Sequence, residues 1–316
     1  MTTLATGFAT HPGLWLALGA LLASGPSALV AYLMTRRGQA EPTPLRAAMM
    51  PATVALRRKM ELELRVALEQ GQFELHYQPL YNAATSQTVG CEALVRWRHP
   101  ERGLVPPMDF IPLAEEVGLI VPMGEWILRQ ACAEASTWPS HMKIAVNLSP
   151  AQFKSPNLVQ AVMVALSSAG MSADRLELEI TESVLLQDSE INLTPLHRLR
   201  ALGVRISMDD FGAGYSSLHY LRSFPFDKIK IDRSFVKDLP ESGDCLAIVR
   251  AVASLGANLG METTAEGVET SEQLEQVRSE GVTEVQGFLL SRPKPAAEIG
   301  PMLWATQPKA PATVAA

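Results

Sequence analysis

Glu92, Asn147, Glu179, Asp209 with Asp210, Lys230, Glu266 and Gln286 each fall within, at or near the end of a short apolar run. The carboxylates Glu92, Glu179, Asp209 and Asp210, with the amide of Asn147, offer only hard oxygen donors, a set that suits Mg²⁺ or Mn²⁺ rather than zinc. Two adjacent aspartates at one strand end can serve two ions, with one carboxylate bridging. That layout supports phosphoryl chemistry in which ions about 3.5–4 Å apart activate water and stabilise an in-line displacement. Directly after Asp210, the sequence Phe211-Gly212-Ala213-Gly214-Tyr215-Ser216-Ser217 has two glycines that permit a tight loop running into a helix N-terminus, able to close over a phosphate. Taken singly, each acid reads as a solvated charge or a helix cap. Gathered at successive strand ends, they read as one site.

Other chemistries fit poorly. Cys91, Cys132 and Cys245 are odd in number and lack C-x-x-C spacing, which argues against a disulfide framework and a thiolate metal site. The six histidines are scattered without metal-ligand spacing. A net charge of −6 supplies no basic field for a DNA or RNA duplex, so a nucleotide ligand must be gripped locally.

The elements that must position these groups follow a strand-then-helix rhythm. Predicted strands are 73–80, 87–97, 143–147, 176–180, 205–209, 228–232, 262–265 and 284–286, and helix-period segments include 123–136, 158–168, 191–202, 245–259 and 271–280. This alternation predicts an α/β fold, a TIM-like (β/α)8 barrel. The turn between the first two strands is too short for a parallel crossover, so the first strand is expected to run antiparallel. A doubly wound open sheet would alternate in the same way. Barrel enzymes assemble their sites at C-terminal strand ends, which favours the barrel.

The amino-terminal segment differs in kind. Residues 1–35 contain no Asp, Glu, Lys or Arg, and Leu14 to Met34 is long enough for a transmembrane helix, with Gly25-Pro26 at its middle. Arg36, Arg37, Arg46, Arg57, Arg58 and Lys59 all follow it, predicting a single-pass inner-membrane protein with its bulk in the cytoplasm; a cleaved signal peptide is the alternative. The expected division is a membrane anchor over 1–37, a linker over 38–53, a catalytic domain over 54–304 and a tail over 305–316.

Motifs in order sharpen this reading. Glu92-Ala93-Leu94 lies within CEALVRWRHP, preceded by Tyr77-Gln78-Pro79 and followed by FIPLAEEVGLI from Phe110, VNLS from Val146, EITES from Glu179, MDDFGAGYSSL from Met208, KIKID from Lys228, AEGVE from Ala265 and QGFLLSRP from Gln286. From about Leu56 to Met302 the chain resembles the EAL family of cyclic di-GMP phosphodiesterases. The resemblance implies hydrolysis of cyclic di-GMP to linear pGpG with two Mg²⁺ or Mn²⁺ ions per site, in the bacterial cytoplasm. A non-catalytic cyclic di-GMP receptor is the alternative.

By that resemblance, Glu92, Asn147, Glu179 and Asp209 hold a first metal, and Asp209 with Asp210 a second. Lys230 orients the water, Glu266 assists at the second metal or as a base, and Gln286 hydrogen-bonds the water or Lys230. Gln78 and Arg96 contact guanine and phosphate, and Glu182 pins the glycine loop or, more simply, caps a turn beside Ser183. Which group takes the proton stays open. The family also implies a homodimer. Ala213 and Phe288 depart from its usual Thr and Tyr.

Overall fold

The structure is a computed structural model that describes residues 44–181, 184, 189–212, 221, 224–239 and 241–305. The chain divides into two compact units, residues 1–60 and 61–316, and the barrel lies in the second. The predicted span, residues 14–34, and the tail beyond Ala305 lie outside the described residues. Among the described residues no helix is long and apolar enough to cross a membrane.

Helix α1 (Pro44–Glu69) runs through most of the segment expected to be a linker. The helix has a local cause: Pro44 sits at its start, where its missing N–H costs nothing, and the Leu, Arg, Ala and Met residues that follow are strong helix formers. Leu64 and Ala67, on its last turns, are fully buried.

Strands β1 (Phe73–Asn82), β2 (Thr88–His99), β4 (Lys143–Asn147), β5 (Leu176–Thr181), β6 (Arg205–Phe211), β7 (Lys228–Ile231), β8 (Glu262–Ala265) and β9 (Glu284–Val285) form a closed barrel. β2 and β4 to β9 are paired in parallel, whereas β1 pairs antiparallel with β2 on one side and β9 on the other, closing the ring. That closure rules out the open sheet and bears out the antiparallel first strand. Short strands β3 (Gly103–Val105) and β10 (Lys294–Pro295) hang on β2 and β1.

The outer helices include α2 (Ile111–Glu116), α3 (Ile120–Ala135), α4 (Pro150–Phe153), α5 (Leu158–Ala169), α6 (Ser189–Ala201), α7 (Arg233–Lys237), α8 (Gly243–Leu259), α9 (Ser271–Ser279) and α10 (Ala296–Ala305). Side chains alternate across a strand, so Leu176, Leu178 and Ile180 of β5 pack outward on this layer while Glu177 and Glu179 turn into the barrel. Ile229 and Ile231 of β7 likewise leave Lys228 and Lys230 inside, all four fully or almost fully buried.

The interior is therefore polar, in two charged storeys. The lower storey joins Lys228 Nζ to Glu177 at 2.8 Å and to Glu284 at 2.7 Å, with Arg205 reaching Glu177 at 3.3 Å and Glu262 at 2.5 Å. Burial alone would drive both members of the central pair neutral. The opposed charges win, holding the Glu177 carboxyl below its ordinary range and the Lys228 ammonium above its own.

Candidate active site

The upper storey centres on Lys230. Its ammonium lies 2.6 Å from Glu266, 2.8 Å from Glu179, 3.1 Å from Asp209 and 3.8 Å from Glu92. Four carboxylates from different strands or strand ends thus share one cation. Glu92 also accepts hydrogen bonds from Asn147 Nδ2 at 2.6 Å and Gln286 Nε2 at 2.9 Å. The residues expected at successive strand ends do converge.

Asp210 needs a special backbone to join them. In a regular strand, Asp209 and Asp210 would point to opposite faces. The β6–β7 register shifts between Met208 and Phe211, and Asp210 adopts φ 54°, a left-handed conformation that aspartate tolerates better than most residues. Carboxylate oxygens of Asp209, Asp210 and Glu266 consequently lie within 4.8 Å of one another.

Gly287 fixes Gln286. A Cβ on Gly287 would fall 2.0 Å from the Val268 carbonyl oxygen, so only glycine lets the segments after β8 and β9 meet. The backbone bond from Val268 N to Gln286 O, 3.1 Å, seals that contact.

Electrostatics mark the cluster as short of positive charge. Burial, reinforced by Glu92 and Asp209 against the opposing pull of Lys230, pushes the Glu179 carboxyl well above its ordinary range. Glu266 is pushed up to about 8, first by burial and then by Asp209 and Glu92, despite Lys230. Burial and Asp209 raise Asp210 as well. Glu92 moves the other way, because Lys230 and the two amide donors overcome its burial. The buried Glu179 Oε1 and Gln286 Oε1 have no hydrogen-bond partner. Hard oxygen donors, an orphaned buried carboxylate oxygen and surplus negative charge fit divalent cations.

Glu92, Asp209, Asp210, Lys230, Glu266 and Gln286 line a cavity of about 600 Å³ that also includes Gln78, Leu94, Pro107, Met108, Asp232, Arg233, Glu269 and Phe288, whereas Asn147 and Glu179 line a second cavity of about 390 Å³ that shares Leu94, Pro107 and Met108 with it. Gln78 donates to the Ser291 carbonyl at 3.2 Å. Arg96, expected beside the ligand, is absent from the wall: it lies past Leu94 on the same face of β2, and its Nη1 turns back to the Val95 carbonyl at 2.9 Å. Burial lowers its basicity, with Glu92 pulling the other way. Glu182, most of the glycine loop and Ala213 lie outside the described residues.

Sequence reading passed over Asp232, Arg233 and Glu269 in the cavity wall, and Glu177, Lys228 and Glu284 beneath it. A signal for the buried layer was present in the period-two spacing of Glu177 with Glu179 and Lys228 with Lys230.

Comparison with known proteins agrees with this architecture. The family model described as EAL domain matches residues 61–293. An uncharacterized protein of Sinorhizobium fredii, y4lL, is 55% identical over 79% of this chain and 30% of its own length. The bifunctional diguanylate cyclase/cyclic di-GMP phosphodiesterase MucR of Pseudomonas aeruginosa is 46% identical over 75% of this chain and 35% of its own. The chain thus spans about a third of the length of these curated relatives. Among solved structures, the MucR phosphodiesterase in complex with c-di-GMP has 45% identity and a TM-score of 0.74, covering 76% of this chain and 99% of that one. EAL enzyme Bd1971, bound to cAMP and cyclic di-GMP, gives a TM-score of 0.77 at 28% identity over 88% of this chain and 75% of that one. By the extent of the family match and the level of identity, this chain belongs to the EAL domain family.

Proposed function

We propose that this chain is a phosphodiesterase that hydrolyses cyclic di-GMP to linear pGpG with two divalent cations, Mg²⁺ or Mn²⁺. The observation that carries the reading is the convergence of Glu92, Glu179, Asp209 and Glu266 around Lys230, with Asp210 beside Asp209 and Glu266. Glu92, Asn147, Glu179, Asp209 and Asp210 would hold the cations, which when bound supply counter-charge for the phosphate and activation of the attacking water. Lys230, fixed by β7, keeps a positive charge at the reacting phosphate. Glu266, 2.6 Å from Lys230 and beside Asp209 and Asp210, is placed to assist at the second cation or as a base. Gln286 holds Glu92 in place, and Gln78, oriented on the cavity wall by its bond to the Ser291 carbonyl, would contact the base. The resemblance to MucR and to the named cyclic di-GMP phosphodiesterase NbdA of Pseudomonas aeruginosa, 44% identical over 76% of this chain, supports the substrate.

The test is product analysis of the full chain incubated with cyclic di-GMP, with and without chelator. Linear pGpG that forms only with Mg²⁺ or Mn²⁺ is the expected result. Tight binding without cleavage in the same buffer would make the protein a receptor instead. We further propose the inner-membrane placement, barrel inward, on the charge asymmetry around residues 14–34, and a homodimer on family resemblance. Reporter fusions on either side of the span and sedimentation of the detergent-solubilised chain test these two readings.

A further inference from the structure

The cavity wall carries six carboxylates, Glu92, Asp209, Asp210, Asp232, Glu266 and Glu269, against two cations, Lys230 and Arg233. Lys230 is 1% exposed and committed to the carboxylates around it. Arg233 is exposed, and among the described residues no carboxylate pairs with its guanidinium. Its neighbour Asp232 is occupied in capping α7, accepting from Ser234 N at 3.0 Å. Glu269, on the same wall, stands outside ion-pair distance. One guanidinium is left to face an anion.

Its anchorage is firm. A Cβ placed on Gly267, at φ 70° and one residue beyond Glu266, would fall 2.6 Å from Arg233 Cβ, so the backbone after β8 packs directly on the root of this side chain. Its position in the ring matters too. Arg233 follows β7, and β7 is four strands from β2 in either direction around the eight-stranded barrel. Arg233 and the Glu92–Leu94 wall therefore occupy opposite sides of the mouth, with the carboxylate cluster between them.

We infer that Arg233 binds the second phosphodiester of a cyclic dinucleotide, the one not being cleaved, and so selects substrates carrying two phosphates. This rests on the phosphodiesterase reading above. A phosphate held at the carboxylate cluster is served by the cations bound there and by Lys230. A second phosphate of the same ligand, displaced toward β7, meets Arg233, whose planar fork matches two phosphate oxygens. A substrate with a single phosphodiester gains nothing from that contact.

The experiment compares wild type, Arg233→Ala and Arg233→Lys in the full chain on cyclic di-GMP and on bis(p-nitrophenyl) phosphate, a diester with one phosphate, alongside equilibrium binding of cyclic di-GMP in chelator. Both replacements keep the Cβ that packs on Gly267. Arg233→Ala is expected to raise KM for the cyclic dinucleotide ten-fold or more with kcat changed less than three-fold. Its loss of kcat/KM on the dinucleotide should exceed that on the one-phosphate diester at least ten-fold, with Arg233→Lys falling between. An unchanged KM and affinity, or equal losses on both substrates, would overturn the assignment while leaving the phosphodiesterase reading intact. Wild type that neither binds nor cleaves cyclic di-GMP would overturn both.

Discussion

At the scale of the residue, Lys230 sets the character of the site. A lone lysine sealed in a barrel would lose its proton, yet Asp209, Glu179, Glu266 and Glu92 reverse that tendency and hold the ammonium well above its ordinary range. In the metal-free protein it therefore stays charged, which suits a fixed cation and not a base. Replacing it with Ala leaves Glu179 and Asp209 facing one another without a partner and removes positive charge from the phosphate. Turnover is expected to fall about 10²–10³-fold, the usual cost of one preorganised charge-stabilising donor, with KM for cyclic di-GMP much less affected. Steady-state kinetics on Lys230→Ala and Lys230→Arg checks this; equal rises in KM for both would identify Lys230 as a binding group only.

At the scale of the element, β5 and β7 each carry two interior charged groups, and β9 carries Glu284 with Gln286 one residue past its end, so the catalytic storey stands on a second ionic one. Lys228 there has two carboxylate partners within 2.8 Å and almost no exposure. Breaking a buried pair from one side strands a charge, at a cost of about 3–5 kcal/mol. Lys228→Met is expected to lose that much stability in urea unfolding, and Lys228→Met combined with Glu177→Gln to recover part of it, because the double change removes both charges. A single variant as stable as wild type would show the storey to be dispensable.

This layer also marks the limit of what the sequence discloses. The main barrel strands were legible because apolar runs ended by polar residues repeat at regular spacing, and the upper-storey acids were legible because they sit at those ends. The lower storey was passed over although Glu177 and Lys228 keep period-two spacing with Glu179 and Lys230, because a charged alternate position fits a solvated strand face as well as the polar interior of a barrel. β3, β10 and α7 span too few residues to carry a period. Asp210 joins the site only through a bulge that no residue type announces, and Arg96, two residues past Leu94, turns aside to the Val95 carbonyl.

At the scale of the whole molecule, the surplus of carboxylates ties folding to metal and pH. In the metal-free protein burial and the neighbouring Asp209 and Glu92 push the Glu266 carboxyl up to about 8 from the ordinary carboxylate range, so the folded state keeps a proton that the unfolded chain has released. A carboxyl raised in this way contributes stability that is fully present below the unfolded value and is lost as pH rises through about 8. Glu177 is shifted oppositely, so its contribution is lost only as pH falls through the acid range and is flat near neutrality. Between pH 6 and 8 the slope should therefore come from the site, because the Cys91 and Cys132 thiols, pushed up by burial, add a fall of the same sign only above that interval. Urea unfolding in chelator is expected to show stability falling by about 2 kcal/mol over that interval. Saturating Mg²⁺ should abolish the slope, because ligating carboxylates are already ionised, and should add about 2.7 kcal/mol at a hundred-fold excess over its dissociation constant. Glu266→Gln should flatten the metal-free profile without ion. Parallel profiles with and without Mg²⁺ would mean that the cluster holds no cation and that Lys230 alone balances it.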